Sequence, residues 1–434
     1  DLDHVTIEYA GRDDGVSLNY TGVEIHSSDV RLSHATIRHS GGTGVYATGS
    51  GNVVLDSTTI TGCTRYGVYA GGSITLTNSL IGDSGDYPLR IASKDIGASV
   101  FAENTFTGNT PDAVLVIGAT LTGGHAWSPW LASYPLHLDW LQVGSAGTLT
   151  LPAGIGLHFD GDGEFGVDGT LTALGTENQP ITMTANSDAP VPAFWNGLYF
   201  NSGSAGNLDH VTVEYAGRND GVSLNYTGVE IHSSDVRLSH AIIRNCGGTG
   251  VYTTGDGDVT LQSITVTGCS RYGVYAGGAI TLTDSLISDN ADYALRIPAA
   301  SIGSSELAGN TFSGNSPDAV LVPGGNLDGT HVWPASLAQY PVHLDWLTVA
   351  SDAGLTLPPG VVLYMGEHKF LKAYGALLAR GTPTMPITLT VNSPAPLAGS
   401  WQGLSLYGNS SGVLEYVTLE YAGDNDYSLP PSQT

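Results

Sequence analysis

A long internal repeat constrains the fold of this chain more than any other feature. The segment LDHVTIEYAG at residues 2–11 returns as LDHVTVEYAG at 208–217 and as LEYVTLEYAG at 414–423. Each copy therefore begins 206 residues after the previous one. Fixed-period self-similarity indicates a chain built from repeated structural units. We expect one continuous solenoid with a first repeat at 1–207, a second at 208–413 and the start of a third at 414–434.

A shorter repeat lies inside each long one. Leu32, Leu55 and Leu76 begin the related segments LSHATI, LDSTTI and LTNSLI, at steps of 23 and 21 residues. Each step holds short alternating apolar segments separated by Gly, Asn, Asp and Ser, which is typical of strands joined by tight turns. One step is therefore one coil, and the next coil stacks on it at about 4.8 Å. Helical spacing is absent except near 129–134 and 335–340, where we expect short excursions.

The composition agrees with strands and turns and limits the partners. Gly provides 59 of 434 residues, whereas Met provides 3. The 40 acidic residues outnumber the 14 basic ones, which gives a formal net charge of −26. Nucleic acid and anionic membranes are therefore poor partners, whereas cations and neutral glycans are compatible with this charge. No apolar run reaches the ~20 residues of a membrane-spanning helix, so we expect no membrane insertion.

A second kind of module follows the short coils of each repeat. It contains GTLTLPAG at 147–154, GTLTALGT at 169–176 and WNGLYF at 195–200, in that order. These motifs, followed by the strand that starts at Leu208, resemble large bacterial surface and secreted proteins with right-handed parallel β-helix repeats, which belong to the pectin-lyase-like fold group. The resemblance implies an all-β, right-handed parallel β-helix and an extracellular or cell-surface location. It implies no single activity, because lyases, hydrolases, adhesins and structural shafts share this fold.

The N-terminus suggests a segment of a longer protein. The chain starts at Asp1 inside a predicted strand, without an initiator Met or a signal peptide. We therefore expect that the parent protein extends beyond this sequence.

A polar column is predicted where successive coils turn. His4 and His34 occupy the same place in neighbouring coils and are followed there by Ser57 and Asn78. Such a column can satisfy backbone groups between coils, so we predict a structural ladder. The alternative is a two-His metal site, for which Ser and Asn are poor additional ligands.

An acidic loop is the candidate cation site. Asp160, Asp162 and Glu164 alternate with glycines, and Asp168 follows them. Carboxylate oxygens on flexible glycine turns suit calcium. The spacing is not that of an EF-hand, and the second repeat has GEHKF at 366–370 instead, so the ligands do not recur. Calcium at these four residues is the one cofactor hypothesis, and a solvated loop is its alternative.

Candidate catalytic groups are few. Asp13 and Asp14 could act as a general acid and base, but Asn219 replaces Asp13 in the second repeat. Arg90 recurs as Arg296, yet no exposed His or Lys group accompanies the pair in the sequence. We therefore assign no catalytic residue and interpret the Asp pair as a solvated turn.

Cysteine and tryptophan are both sparse. Cys246 and Cys269 are 23 residues apart, so we predict stacked neighbours with Cα atoms ~5 Å apart, as either a disulfide or a pair of buried thiols. The fold cannot depend on them, since the first repeat has only Cys63. Most Trp residues recur at equivalent positions, which favours module packing, with stacking on sugar rings as the alternative. These pairs are Trp127 with Trp333, Trp140 with Trp346, and Trp195 with Trp401.

The repeat also guides the functional prediction. An enzyme needs one good site, whereas a shaft or stalk gains length with every copy. We predict an extracellular structural or adhesive repeat protein that forms a rigid rod or part of a surface filament. Its expected partners are further copies of itself, end to end or in a longer array, and cell-surface glycans. The alternative is a glycan-binding or polysaccharide-degrading β-helix, which as an enzyme would be a lyase or a glycoside hydrolase.

Overall fold

The computed structural model describes residues 1–11, 20–27, 29–48, 53–218, 226–233, 235–254 and 259–424. Nearly all regular structure in these ranges is β. The helices are short: α-helices at Ser93–Ile96 and Ala299–Ile302, and 3-10 helices at Pro129–Ser133 and Ala335–Gln339. The two 3-10 helices lie where short excursions were expected. A bilayer could not be crossed by any helix found in the described ranges.

The chain divides into two compact units. The first comprises residues 1–230 and 240–247, and the second comprises 231–239 and 248–434. These units and the sequence repeats divide the chain differently, so the repeat boundaries after 207 and 413 remain predictions.

The first unit consists of strands that pair in parallel with the strands of neighbouring coils. The sheet that starts at Leu2–Asp3 has five strands, one from each successive coil. Leu32 pairs in register with Leu55, and Leu55 with Leu76, and all three side chains are fully buried. Alternation along each strand points such residues inward, and stacking of coils covers them. The strands of the first unit are Leu2–Asp3, Thr6–Glu8, Thr21–Ile25, Arg31–Ser33, Thr36–Arg38, Thr43–Ala47, Val53–Asp56, Thr59–Thr61, Val68–Ala70, Ile74–Thr77, Leu80–Gly82, Leu89–Ala92, Val100–Ala102, Thr105–Thr107, Val114–Ile117, Thr120–Ala126, Leu136–Leu151, Gly156–Val167, Thr170–Leu174, Ile181–Ala185, Gly197–Phe200, Ala205–Asp209, Val211–Glu214 and Ile242–Arg244.

The second unit is built in the same way. Val274, Leu295, Val320 and Val342 lie in register on consecutive parallel strands and are all buried. A strand at Thr227–Ile231 spans the division between the units. The parallel β-helix predicted from the coil spacing is therefore confirmed in each unit. The remaining strands, all in the second unit, are Asp235–Ser239, Thr249–Thr253, Val259–Gln262, Thr265–Thr267, Val274–Ala276, Ile280–Thr283, Leu286–Ser288, Leu295–Arg296, Glu306–Ala308, Thr311–Ser313, Val320–Val322, Gly325–Leu327, Thr330–Val332, Val342–Leu344, Leu347–Val349, Gly354–Leu357, Val362–Met365, Phe370–Ala373, Ala376–Arg380, Ile387–Val391, Gly403–Leu406, Ser411–Glu415 and Val417–Leu419.

Candidate functional site

The second unit has a polar cleft on an outward strand face. Arg296, His343 and Tyr364 alternate with buried residues along their strands, so they point away from the core. Parallel pairing in register brings them into one column, in which His343 lies directly beside Tyr364. The resulting cavity of about 330 Å³, here called the second Tyr–His cleft, is lined by polar and aromatic residues that include Tyr293, Arg296, His343, Asp345, Tyr364 and Asn392.

A hydrogen-bond network orders this cleft. His343 Nδ1 lies 3.1 Å from the Tyr293 hydroxyl and 3.2 Å from the Asn392 amide nitrogen. An amide nitrogen only donates, so His343 Nδ1 is an acceptor here. The His343 ring meets Tyr364 nearly edge-on, with centroids 5.4 Å apart. Arg296 Cζ stacks 4.0 Å from the centre of the Tyr275 ring, which fixes the guanidinium at the cleft wall.

Burial keeps the two central groups of the cleft uncharged. It lowers the pKa of His343 and raises the pKa of Tyr293, whose neighbour Asp292 adds to the increase. Near neutral pH the pair is therefore a neutral imidazole and a phenol. Because the Nδ1 lone pair already accepts hydrogen bonds, it is not available to take a proton from a ligand.

The same side-chain contacts recur in the first unit. The Tyr87 hydroxyl lies 3.1 Å from His137 Nδ1, and Arg90 Cζ stacks 4.1 Å from the centre of the Tyr69 ring. Burial, assisted by the positive charge that His158 can carry, lowers the pKa of His137 to about 4. By analogy with the second unit, we call this arrangement of side chains the first Tyr–His cleft. Tyr87, Arg90 and His137 precede Tyr293, Arg296 and His343 by 206 residues each.

The two clefts differ on one wall. His158 stands in the first cleft where Tyr364 stands in the second, and Asp160 stands where Gly366 does. The Asn186 amide donates to Asp160 Oδ1 over 2.8 Å. The first cleft is therefore more acidic, and it lacks the Tyr364 ring.

The acidic loop borders a groove of the first unit that shares Asp160 with the first Tyr–His cleft. Asp160, Asp162 and Glu164 line this groove of about 610 Å³ together with Asp139 and Trp140. Trp140 is 39% exposed, so part of its indole is accessible from solvent. The groove thus combines carboxylates with an accessible aromatic ring.

The four predicted calcium ligands have protein partners. Asp162 Oδ1 lies 2.6 Å from Arg218 Nη1, and Asp168 accepts hydrogen bonds of 2.7 Å from Gln142 and from Asn201. Asp168 is not among the residues that line the groove. In the described part of the chain, two groups of His, Cys, Asp or Glu bring at least three ligand atoms within 4.8 Å of one another, and neither includes the acidic loop. Calcium at Asp160, Asp162, Glu164 and Asp168 remains a prediction.

The polar column lies at a corner of the coils. His4, His34, Ser57 and Asn78 each follow a strand of the first sheet and have positive φ values of 55°, 50°, 52° and 51°. This left-handed conformation turns the chain from one sheet to the next, and His and Asn tolerate it better than most residues. The His4 and His34 rings stack with centroids 4.8 Å apart.

The column contains a carboxylate that sequence reasoning overlooked. Asp3 lies 3.0 Å from Nδ1 of both His4 and His34, and these contacts, foremost the one to His34, lower the pKa of Asp3. Two coils further on, the Asn78 amide donates to Asp56 over 3.0 Å. The side chains therefore bind carboxylates of the preceding strand as well as one another. The structural ladder remains a prediction.

The three cysteines and four of the tryptophans are buried. Cys63, Cys246 and Cys269 are buried thiols, none of them in a disulfide within the described residues, and burial raises the pKa of Cys63 to about 11. Four tryptophans from two recurrent pairs are at most 4% exposed and serve packing: Trp127, Trp195, Trp333 and Trp401. The predicted Asp13–Asp14 turn lies outside the described residues.

A signal for the clefts was present in the sequence. The first cleft draws on Tyr87 and Arg90 in YPLR and on His137 in LHLDW, and the second on the equivalent YALR and VHLDW. In each cleft the Tyr and the His are 50 residues apart in the chain, so only the recurrence of both motifs could have connected them.

One comparison with known proteins gives a match. The model of a family described as a right handed beta helix region matches residues 5–122 and 191–331, which is more than half of the chain. No curated protein and no solved structure matches the chain.

Proposed function

Because the chain belongs to the right-handed β-helix region family, we propose that it is an extracellular structural or adhesive repeat protein whose coils display binding clefts for neutral polysaccharides. The observation that carries this proposal is the recurrence of the Tyr–His contact and of the Arg–Tyr stacking beside it, once in each unit. Repeated equivalent sites suit an adhesive protein, since each added copy adds a contact.

The lining of the second Tyr–His cleft suits carbohydrate. Sugars present many hydroxyl groups and flat apolar ring faces. Asn392 and Asp345 supply a donor and an acceptor, and Tyr364 supplies an aromatic ring. Ordered polar groups beside an aromatic wall are what a polar ligand of this kind requires.

Charge favours a neutral ligand over an acidic one. Arg296 and Asp345 are the charged residues among those that line the cleft, one of each sign. The whole chain carries a net charge of −26, which repels polyanions. A neutral polysaccharide therefore suits the site better than a polyuronate or a sulfated glycan.

A polysaccharide lyase or hydrolase is the second candidate. The specific observation in its favour is His137, whose lowered pKa gives an uncharged imidazole of the kind that could act as a general base. Against it, the Tyr87 hydroxyl shares the Nδ1 atom of that imidazole. Binding without turnover is therefore the stronger proposal.

The structural side of the proposal rests on the 206-residue repeat. A coil added to a solenoid pairs with the last one through the same kind of strand contacts. We propose that further copies, in a longer chain or end to end, build a rigid rod or part of a surface filament.

A polysaccharide panel tests the ligand proposal. We expect the full chain to bind at least one neutral polysaccharide in affinity electrophoresis and to release neither reducing ends nor unsaturated products. Tyr364→Ala should weaken binding at the second cleft about tenfold, which corresponds to about 1.4 kcal/mol.

Tyr374→Ala is the matched control, because Tyr374 is a 43% exposed tyrosine of the same unit outside the cleft. This variant should bind like the wild type. Cleavage products would instead support the enzyme, and failure to bind any neutral polysaccharide would leave a purely structural role.

A further inference from the structure

A second type of site lies at the coil corners, away from the clefts. In the first unit, Asp209 Oδ1 lies 2.8 Å from His240 Nδ1 and 3.1 Å from His210 Nδ1. The two imidazole rings stack with centroids 4.7 Å apart. We call these three residues the second Asp–His cluster.

The same arrangement occurs 206 residues earlier. Asp3, His4 and His34 form the first Asp–His cluster, with both imidazoles 3.0 Å from the carboxylate. In each cluster the three ligand atoms lie within 4.8 Å of one another. The chain thus carries two equivalent groups of one carboxylate and two imidazoles.

The corner itself does not require histidine. Ser57, Asn78 and Ser263 adopt the same left-handed conformation at equivalent corners of other coils, with φ between 51° and 53°. The left-handed turn therefore does not explain why two stacked histidines lie beside an aspartate.

One nitrogen of the second cluster lacks a hydrogen bond. His210 Nδ1 is buried and makes none with the described residues, although it lies 3.1 Å from Asp209 Oδ1. A buried polar atom without a partner carries a free-energy cost. An ion placed between the nitrogen and the carboxylate would remove that cost.

The ligand atoms define the class of ion. We propose that each Asp–His cluster binds one divalent transition-metal ion of the zinc, copper, nickel or cobalt type through the two imidazoles and the carboxylate. Calcium and magnesium prefer sites made of oxygen alone and fit less well. With three protein ligands, a fourth position stays open for water.

The distances permit this coordination. Ligand atoms about 2.1 Å from one ion are no more than ~4.2 Å apart, and the two Asp209 contacts are already shorter than that. The stacked rings must tilt to converge on one ion, and the half-exposed side chain of His240 has room to do so. This inference is independent of the proposed polysaccharide binding.

Metal titration of the full chain tests the inference. We expect calorimetry with Zn²⁺ to give two sites per chain, and Cu²⁺ bound to the chain to show nitrogen hyperfine structure in electron paramagnetic resonance. His240→Gln should leave one site, and the double variant His34→Gln, His240→Gln should weaken both at least about tenfold.

His125→Gln is the matched control, since the His125 imidazole lies 3.1 Å from a backbone oxygen of Thr122 and belongs to neither cluster. It should retain both sites. Circular dichroism checks that the variants remain folded. Absence of Zn²⁺ binding, oxygen-only ligation of Cu²⁺ in the wild type, or two unaltered sites in the double variant would overturn the inference.

Discussion

His137 is held uncharged by its surroundings in the first Tyr–His cleft. Burial is the main reason why its pKa falls to about 4 from the usual 6.5, and the neighbouring His158 acts in the same direction. Asp160 opposes the shift, but the carboxylate does not outweigh the loss of water. The imidazole therefore serves as an ordered neutral partner of Tyr87.

This neutrality predicts how stability depends on pH. The unfolded chain binds a proton at position 137 below about pH 6.5, whereas the folded chain resists it until about pH 4. The contribution of His137 to the free energy of unfolding is therefore fully present above pH 6.5 and is lost as the pH falls to 4. Denaturant unfolding measured between pH 4 and 6.5 gives the free energy of unfolding at each pH. This free energy should fall less steeply with falling pH in His137→Gln than in the wild type.

His125→Gln removes an imidazole outside the cleft and is the control. Its slope should match that of the wild type. An equal slope in His137→Gln and the wild type would mean that the imidazole is protonated in the folded chain.

At the residue scale the sequence allowed only part of the site to be predicted. The spacing of His4 and His34 placed both at one corner, but Asp3 was overlooked because the contact depends on side-chain direction. Tyr87 and His137 come together across coils of unequal length, so a fixed period does not pair them. The repeat shows which candidate site residues recur, whereas the contacts between them depend on how the coils pack.

Between elements, neighbouring coils approach each other closely at glycine. A Cβ atom at Gly273 would lie 2.2 Å from Ile287 Cγ2 and 2.8 Å from the Ala294 carbonyl oxygen, which belongs to the next coil. Gly67 meets Ile81 in the same way in the first unit, at 2.1 Å. The strands can stack in register only because no side chain occupies these positions.

Gly273→Ala should therefore destabilise the second unit. Forcing a methyl group against Ile287 and a backbone oxygen costs about 1–3 kcal/mol. Gly325→Ala is the matched control, because a Cβ atom there meets nothing within 4 Å. Urea unfolding should give a lower midpoint for Gly273→Ala alone, and equal midpoints would contradict this account of coil stacking.

At the element scale the sequence was more informative. Apolar and polar residues alternate within each strand because only one face of the strand is buried, and this pattern recurs at steps of 23 and 21 residues. The two periods together predicted the stacked column of Leu32, Leu55 and Leu76. The α-helices Ser93–Ile96 and Ala299–Ile302 were not predicted. A helix of four residues is too short to show its own period.

For the whole molecule, two clefts in an acidic chain imply a particular binding behaviour. Salt screens the electrostatic effect of the net charge of −26. Hydroxyl contacts and aromatic stacking in the clefts do not depend on the salt concentration. Binding of a neutral polysaccharide should therefore change little with ionic strength.

The number of binding sites per chain tests the central claim most directly. The full chain is titrated with a short oligosaccharide prepared from the neutral polysaccharide that it binds, and the sites are counted by calorimetry. We predict two sites in the wild type and one in the double variant Tyr364→Ala, Asn392→Ala, which removes two walls of the second Tyr–His cleft. A single site in the wild type, or two unaltered sites in the variant, would contradict the proposal that the clefts are the repeated binding sites.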